Sequence, residues 1–418
     1  MTRLSAQSER SFVRASVGGS RHVLVTIGAP ALEGARPRLP MNLAFVLDRS
    51  GSMGRGKLDL AKGAVVEGIR RLTRGDRFAV VAYDGDVDVT VASTPASGEN
   101  IARARNAIGA LFARGSTALY DGWLTGCKEV ESHLNDGQVA RCMLFTDGQA
   151  NQGETSADVL ANRAAELRAR GITTSTFGIG LDFDEVLLRR MADEGGGNAR
   201  FIESDADFSK LVSAELRDTL DIVHRSLVLR IEAPSAVAVE VIGPWRTERT
   251  DAGTDVLLGD VVSEELLDVV VRFRLPHGHR GDVTGVTFSL LDREGPVDAT
   301  PAQVEWRYVG GEENDVQPRA VEVDRVVAAR HAARARERAV IANREGRYDV
   351  AAGLLLGVLA QIERYAGKDP ELLALIESLR SDVQSYGEPM TAREVKIAYS
   401  RNSSAVRSRM EDGSARRR

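Results

Sequence analysis

The stretch LAFVLDRSGSM, Leu43 to Met53, runs apolar for five residues and then turns polar at one step. Leu43 to Leu47 reads as a strand with neither face in water, the pattern of a parallel sheet covered by helices on both sides. The polar part has its own spacing: Asp48, Ser50 and Ser52 alternate, with Gly51 between the two hydroxyls. A buried strand that delivers an acid and two hydroxyls to its carboxyl end points to a site, because ligands of open parallel sheets bind outside the carboxyl ends of the strands.

Working outward, residues 41–223 alternate short apolar runs with amphipathic stretches. NLAFVLD, RFAVVAYD, VDVTVAS, RCMLFTDG, TTSTFGIG and ARFIES read as strands. KLDLAKGAVVEGIRRL, ENIARARNAIGALF, TALYDGWLTGCKEVESHL, SADVLANRAAELRARG and DFDEVLLRRMADEG read as helices. The predicted fold is α/β, a doubly wound, mainly parallel, Rossmann-like sheet. RFAVVAYD and VDVTVAS, joined through Gly85 and Asp86, form a hairpin that adds one antiparallel edge strand.

The flanks differ. SFVRASVG and RHVLVTIGAP, in residues 1–40, alternate like the strands of residues 224–312, which include SLVLRIEAP, LDVVVRFRLP, VTGVTFSLLD and AQVEWRYV. An isolated hairpin is marginal, so the early strands are expected to pair with the later ones in a β-sandwich. The α/β domain is then an insertion in that sandwich. Residues 318–400 read as a C-terminal helical region, in which ANREGRYDVAAGLL has the form of one helix–turn–helix unit. Residues 401–418 are expected to be a disordered tail.

A second buried strand, RCMLFTDG, also ends in an acid, Asp147, and Gly115-Ser116-Thr117 precedes a helix between the two acids. Thr117 has two readings, a helix N-cap or a member of the site. Two carboxylates and three hydroxyls, with no His or Cys, form a hard-oxygen set suited to Mg²⁺ or Mn²⁺, with Ca²⁺ as a further option, rather than Zn²⁺. Gly51 allows both serine hydroxyls to face one point, and the helix that begins near Gly56 turns its positive end toward them.

Together, D-R-S-G-S at Asp48–Ser52, Thr117 in GST and Asp147 in FTDG resemble the von Willebrand factor type A domain and its metal-ion-dependent adhesion site. The resemblance covers about residues 41–223, with all five motif positions present. It implies that Ser50, Ser52 and Thr117 contact the metal. Asp48 and Asp147 would bind it directly or through water, and the open position would take a Glu or Asp of a partner protein. Preceding strands, a sandwich and helices around such a domain are similar in layout to bacterial cytoplasmic type A proteins and to inter-alpha-trypsin inhibitor heavy chains.

Other functions fit these residues less well. A Mg²⁺-dependent phosphohydrolase usually carries a second acid two residues after the strand-end Asp; here that position is Ser50, and no nucleophile has an adjacent base, so no enzyme is expected. A type A scaffold working with an AAA+ ATPase is the alternative among binding functions. An RNA-binding role would rest on Arg325, Arg330, Arg334, Arg336 and Arg338, but these interleave with Ala, Val and acids rather than aromatics, and read as a solvated helix face. Net charge is −5, which argues against general affinity for nucleic acid or anionic membrane. With 43% hydrophobic and 28% charged residues, the 418-residue chain is globular. No apolar h-region and no membrane-length run are visible, so a cytoplasmic protein is expected.

Smaller features have plain readings. Cys127 and Cys142 form no metal-type spacing and are expected to be reduced core thiols. Arg49 reads as a solvated side chain or one that helps to read an acidic ligand, and Tyr120 and Asp121 as a site rim or ordinary packing. DEGGGNARF reads as a flexible loop before a strand, and Gly178 and Gly180 as a strand end. His277 and His279 read as an exposed turn, and Trp245 and Trp306 as sandwich core.

Overall fold

The computed structural model describes residues 1–31, 39–135, 137–202, 205–293, 295–406 and 416–417. In chain order, strands β1 (Arg3–Ser8), β2 (Phe12–Arg14) and β3 (Gly19–Gly28) come first. An alternating segment follows: β4 (Met41–Asp48), α1 (Lys57–Arg70), β5 (Arg77–Tyr83), β6 (Val87–Pro95), α2 (Gly98–Gly109), α3 (Leu119–Glu131), β7 (Val139–Thr146), α4 (Ala157–Ala169), β8 (Ile172–Ile179), α5 (Glu185–Glu194), β9 (Gly196–Ile202) and α6 (Asp205–Leu220). Strands return as β10 (Ile222–Glu232), β11 (Ala238–Ile242), β12 (Arg246–Thr250), β13 (Gly253–Val262), β14 (Leu266–Leu275), β15 (Val283–Asp292), β16 (Gly295–Pro296) and β17 (Ala302–Val309). Helices α7 (Gly311–Val316), α8 (Val321–Arg344), α9 (Tyr348–Glu363), α10 (Pro370–Tyr386) and α11 (Ala392–Val406) close the chain. Two compact units result, one from residues 33–222 and one built mainly from residues 1–32 and 223–411.

In the first unit the sheet order is β6-β5-β4-β7-β8-β9. Every pair is parallel except the β5–β6 hairpin. All eight residues of β4, β7 and β8 are buried, β4 and β7 through largely apolar runs and β8 with Thr173, Thr174, Ser175 and Thr176 among them. Ala44 and Val46 face Trp123 and Cys127 of α3 in one core. On the other pleat, Phe45 packs beside Gly68 of α1 and Leu216 of α6. The chain leaves β4 toward β5 and β6, then returns to lay β7 on the opposite side of β4. The direction of winding therefore switches between β4 and β7, and Asp48 and Asp147 lie at the carboxyl ends of these two strands.

The second unit holds sheets β1-β3-β14-β11 and β12-β13-β10-β15-β17-β2. β3 pairs with β14 over ten residues, Gly19↔Leu275 to Gly28↔Leu266, and β2 pairs with β17 in parallel. Val23, Val25 and Ile27 share a core with Leu229, Val269, Phe288 and Trp306. Trp245 is half-buried against that core. Val323 and Val327 of α8 pack with Ile242 and Val270 of the four-stranded sheet.

Glu194 ends α5 and Gly196 begins β9, so the DEGGGNARF stretch is a direct helix-to-strand passage and not a flexible loop. The glycines are needed because β8 comes so close: a Cβ on Gly197 would stand 2.2 Å from the carbonyl oxygen of Thr174. The arginine face of α8 is not simply solvated. Arg325 pairs with Asp369 at 2.6 Å, Arg336 pairs with Asp382, and Arg330 is buried with Nη2 donating to the carbonyl of Asp268. Helix–helix and helix–sheet docking uses these charges. α11 runs on to Val406, and Arg416 pairs with Asp268, where a disordered tail was expected; residues 407–415 and 418 lie outside the described residues. β1 and β12, RLSAQS and RTERT, escaped the sequence reading because they carry few or no apolar residues, and β12 is held as an edge strand by backbone pairing to β13.

Cys127 and Cys142 are buried free thiols, and burial pushes the Cys142 thiol well above its ordinary value. Among the described residues no helix is long and apolar enough to cross a membrane.

Candidate metal centre

Asp48 closes β4 with its side chain fully buried. Its Oδ1 accepts the backbone N–H of Ser50 at 2.8 Å, and its Oδ2 accepts the hydroxyl of Thr146 at 2.6 Å. Burial raises the carboxyl to about 6; the hydrogen bonds from Thr146 and Ser50 offset only part of that, and nearby Asp147 adds to it. This acid is short of positive charge.

The chain then turns through a short 3₁₀ segment, Gly51–Met53. The turn brings Ser50 Oγ and Ser52 Oγ to 3.0 Å, and Ser52 Oγ donates to Asp147 Oδ1 at 2.7 Å. Asp147 is fully buried, directly after β7. The N–H of Gly51 donates to the carbonyl of Gly115 at 3.2 Å, and Arg114 N–H to the carbonyl of Arg49 at 2.7 Å. These two bonds lace the serine loop to the GST loop. Gly115 sits at φ +70°, with its Cβ position only 3.3 Å from Asp84 Cβ, so no other residue turns here without strain.

Thr117 does not cap α3. The cap position is Ala118, without a side-chain bond. Thr117 is held instead by its backbone: its N–H donates to Asn151 Oδ1 at 3.0 Å, and its carbonyl accepts from Asn151 N–H at 3.3 Å. A Cβ placed on Gly148 would lie 3.6 Å from Thr117 Oγ1 and 3.7 Å from Ser52 Oγ. The two hydroxyls thus approach one point from different loops, with a glycine beside them. All five residues singled out in the sequence come together here.

Arg49 is not the solvated side chain that one of its readings expected. It is 6% exposed, and its Nε donates to Asp84 Oδ2 at 3.0 Å while Nη2 pairs with Asp88. Arg114 reaches the same Asp84 oxygen at 2.7 Å. Burial pushes the Asp84 carboxyl up, but the Asp86 amide and the two guanidiniums outweigh it and hold it below its ordinary value. The cluster fastens the hairpin loop to both site loops, with Arg49 engaged in it. Tyr120 packs on Trp123, and His277 and His279 are exposed.

The sequence reading missed three contributors. Thr146 orients Asp48 and also accepts the N–H of Gly148 at 3.2 Å; the one hydroxyl at the end of an apolar strand was its signal. Tyr83, alongside Asp48 in register, places a buried hydroxyl near that acid, and burial and the Asp48 charge raise it well above its usual value. Lys57 donates to Asp147 Oδ2 at 2.5 Å.

The donor set fits a hard divalent cation. It offers converging hydroxyl and carboxylate oxygens, no soft ligand, one under-compensated buried acid, and an ammonium already standing as a cation on the other acid.

Residues 42–215 match the family model of the von Willebrand factor type A domain. The chain is 26% identical over 294 residues to the uncharacterized protein YfbK of Escherichia coli (strain K12), over 66% of this chain and 49% of that protein. It is 29% identical over 211 residues to human inter-alpha-trypsin inhibitor heavy chain H4, over 49% of this chain and 22% of that one. It is 28% identical to protein sll0103 of Synechocystis, over 62% of this chain and 64% of that one. The matches thus span less than two thirds of each relative's length. Among solved structures, a von Willebrand factor type A protein from Catenulispora acidiphila superposes with a TM-score of 0.71 at 22% identity, over 90% of this chain and 89% of that one. The ArnB paralog VWA2 from Sulfolobus acidocaldarius superposes with a TM-score of 0.60 at 15% identity, over 97% and 98%. The likeness to these two is one of fold. Residues 42–215 thus match the type A domain model and have its fold, and the α/β architecture with its C-terminal helices is that of these structures.

Proposed function

We propose that this type A domain holds a divalent cation, Mg²⁺ in the first instance, and through it binds an acidic side chain of a partner protein. The single observation that carries the reading is the convergence of Asp48, Ser50, Ser52, Thr117 and Asp147 at the switch between β4 and β7. Ser50, Ser52 and Thr117 would supply neutral oxygens. Asp48 and Asp147 would supply charge, directly or through water. Two carboxylates against a doubly charged ion leave a neutral site with coordination to spare, so an incoming carboxylate meets no strong repulsion.

The residues around the site serve binding rather than bond-breaking. Thr146 and the Ser50 amide fix the Asp48 carboxylate. Arg49, Arg114 and Asp84 hold the loops. The Ser52 and Thr146 hydroxyls that donate to Asp147 and Asp48 orient these carboxylates toward a cation, and the role read here is non-enzymatic. The cation would supply electrostatic attachment for the partner's carboxylate.

The test is capture of protein partners by the immobilised chain with Mg²⁺, with EDTA, and with Asp48→Ala. The reading expects a partner held only by the wild type in Mg²⁺, and lost when one Glu or Asp of that partner is changed to its amide. Capture that survives both EDTA and Asp48→Ala would contradict it.

A further inference from the structure

Lys57 opens α1, and its ammonium lies inside the candidate metal set. Nζ donates to Asp147 Oδ2 at 2.5 Å, while Ser52 occupies Oδ1. The Asp147 side chain has no exposure and that of Lys57 is 27% exposed. A second acid, Asp182, lies 3.8 Å from the same nitrogen with its side chain 75% exposed. The end of the lysine runs past Gly180, 3.4 Å from where a Cβ would stand, and Gly180 is at φ +74°. The ammonium thus sits between a buried acid of the site and a solvated acid outside it.

A divalent cation and an ammonium seek the same Asp147 carboxylate. Exposed lysine pairs are worth little, but here one partner is fully desolvated, so leaving it unpaired is costly. The ammonium satisfies Asp147 when no metal is present, and it has a nearby acid to turn to when metal arrives. We propose that Lys57 is an internal competitor for the cation: it pairs with Asp147 in the metal-free protein, passes to Asp182 when the metal binds, and so sets the metal concentration at which the site fills. The inference rests on the reading of these loops as a metal centre.

Mg²⁺ is titrated calorimetrically into EDTA-stripped wild type, Lys57→Met, Asp182→Asn and the double variant. Lys57→Met is expected to bind Mg²⁺ roughly tenfold more tightly, the gain from removing one competing cation from a buried carboxylate. Asp182→Asn is expected to weaken binding in the wild-type background, where the lysine loses its second acid, and to change it much less in the Lys57→Met background. A merely structural lysine would show no such coupling. Lys57→Gln, which keeps a polar tip for Asp147, is expected on the same side of wild type and decides the question if Lys57→Met does not fold. In EDTA, Lys57→Met is also expected to lower Tm, and Asp182→Asn to leave it unchanged. Wild-type binding with no tightening in the lysine variants, or with equal effects of Asp182→Asn in both backgrounds, overturns the role of Lys57 and leaves the metal centre standing. Absence of binding in all four proteins overturns the metal centre, and this inference with it.

Discussion

Asp48 carries the conflict between stability and binding in a single side chain. Its carboxyl is fully buried and lifted to about 6, so in the metal-free protein its charge opposes the fold near neutral pH. A raised acid stabilises the folded state below the unfolded value and loses that contribution as pH rises through the folded one. Removing the charge without the shape should therefore help the metal-free protein. Asp48→Asn is expected to raise Tm in EDTA at pH 7.5 by roughly 2–5 °C, while abolishing Mg²⁺ binding; thermal melts in EDTA and in Mg²⁺ check both halves. The residue scale is also where the sequence was most legible. Asp48, Ser50 and Ser52 are spaced along one strand end, so their convergence is local and can be read from the chain. Lys57 and Thr146 were not legible as site residues, because each acts on an acid that folding brings from another strand. Arg49 was misread for the same reason: its partners, Asp84 and Asp88, lie at the β5–β6 hairpin.

At the scale of elements, the sheet holds the site only as firmly as its helices are fastened to it. On the face opposite α3, α6 is pinned through Glu215. One Glu215 oxygen accepts from Arg141 at 2.8 Å and Ser175 at 2.6 Å, and the other from Arg200 at 2.9 Å. Asn198 donates to both. Burial pushes this carboxyl up, but Arg200, Arg141 and Ser175 outweigh it and hold it at about 2. Glu215→Gln removes the buried anion that Arg141 and Arg200 share, with Asp218 still 3.4 Å from Arg200, and is expected to cost about 3–5 kcal/mol at pH 7. The sign of the pH effect follows from the lowered value. The contribution is complete above the ordinary value of 4.5 and is lost as pH falls toward about 2. Urea denaturation at pH 7 and pH 3 should show the gap between wild type and variant narrow in acid. None of this network was visible in the sequence: Arg141, Ser175 and Arg200 sit on β7, β8 and β9, and only the strand order makes them neighbours of one acid. The alternation of strands and helices, in contrast, was legible, because burial on both faces leaves mainly apolar runs in β4, β5 and β7, while β6 and β8 were marked by β-branched residues.

At the scale of the whole molecule, the chain begins one unit, builds another and returns to finish the first. β3 lies between β1 and β14 in the middle of a sheet, with Val23, Val25 and Ile27 in the sandwich core. That pairing was foreseeable because two early strands had nothing else to bury their apolar sides against. The polar strands β1 and β12 and the acid partners of the α8 arginines were not, since backbone pairing and helix docking leave no periodic mark. A chain lacking residues 1–31 loses a central strand and its core side chains and is expected to aggregate. Residues 39–222 alone have their own sheet and core, and are expected to melt cooperatively and keep the cation site; circular dichroism of the two truncations checks this.

The most direct test is a calorimetric titration of Mg²⁺ into the EDTA-stripped full chain, wild type beside Asp48→Ala. One saturable site in the wild type and none in the variant is the predicted result. No binding to the wild type, or equal binding to both proteins, would contradict a metal centre at the carboxyl ends of β4 and β7.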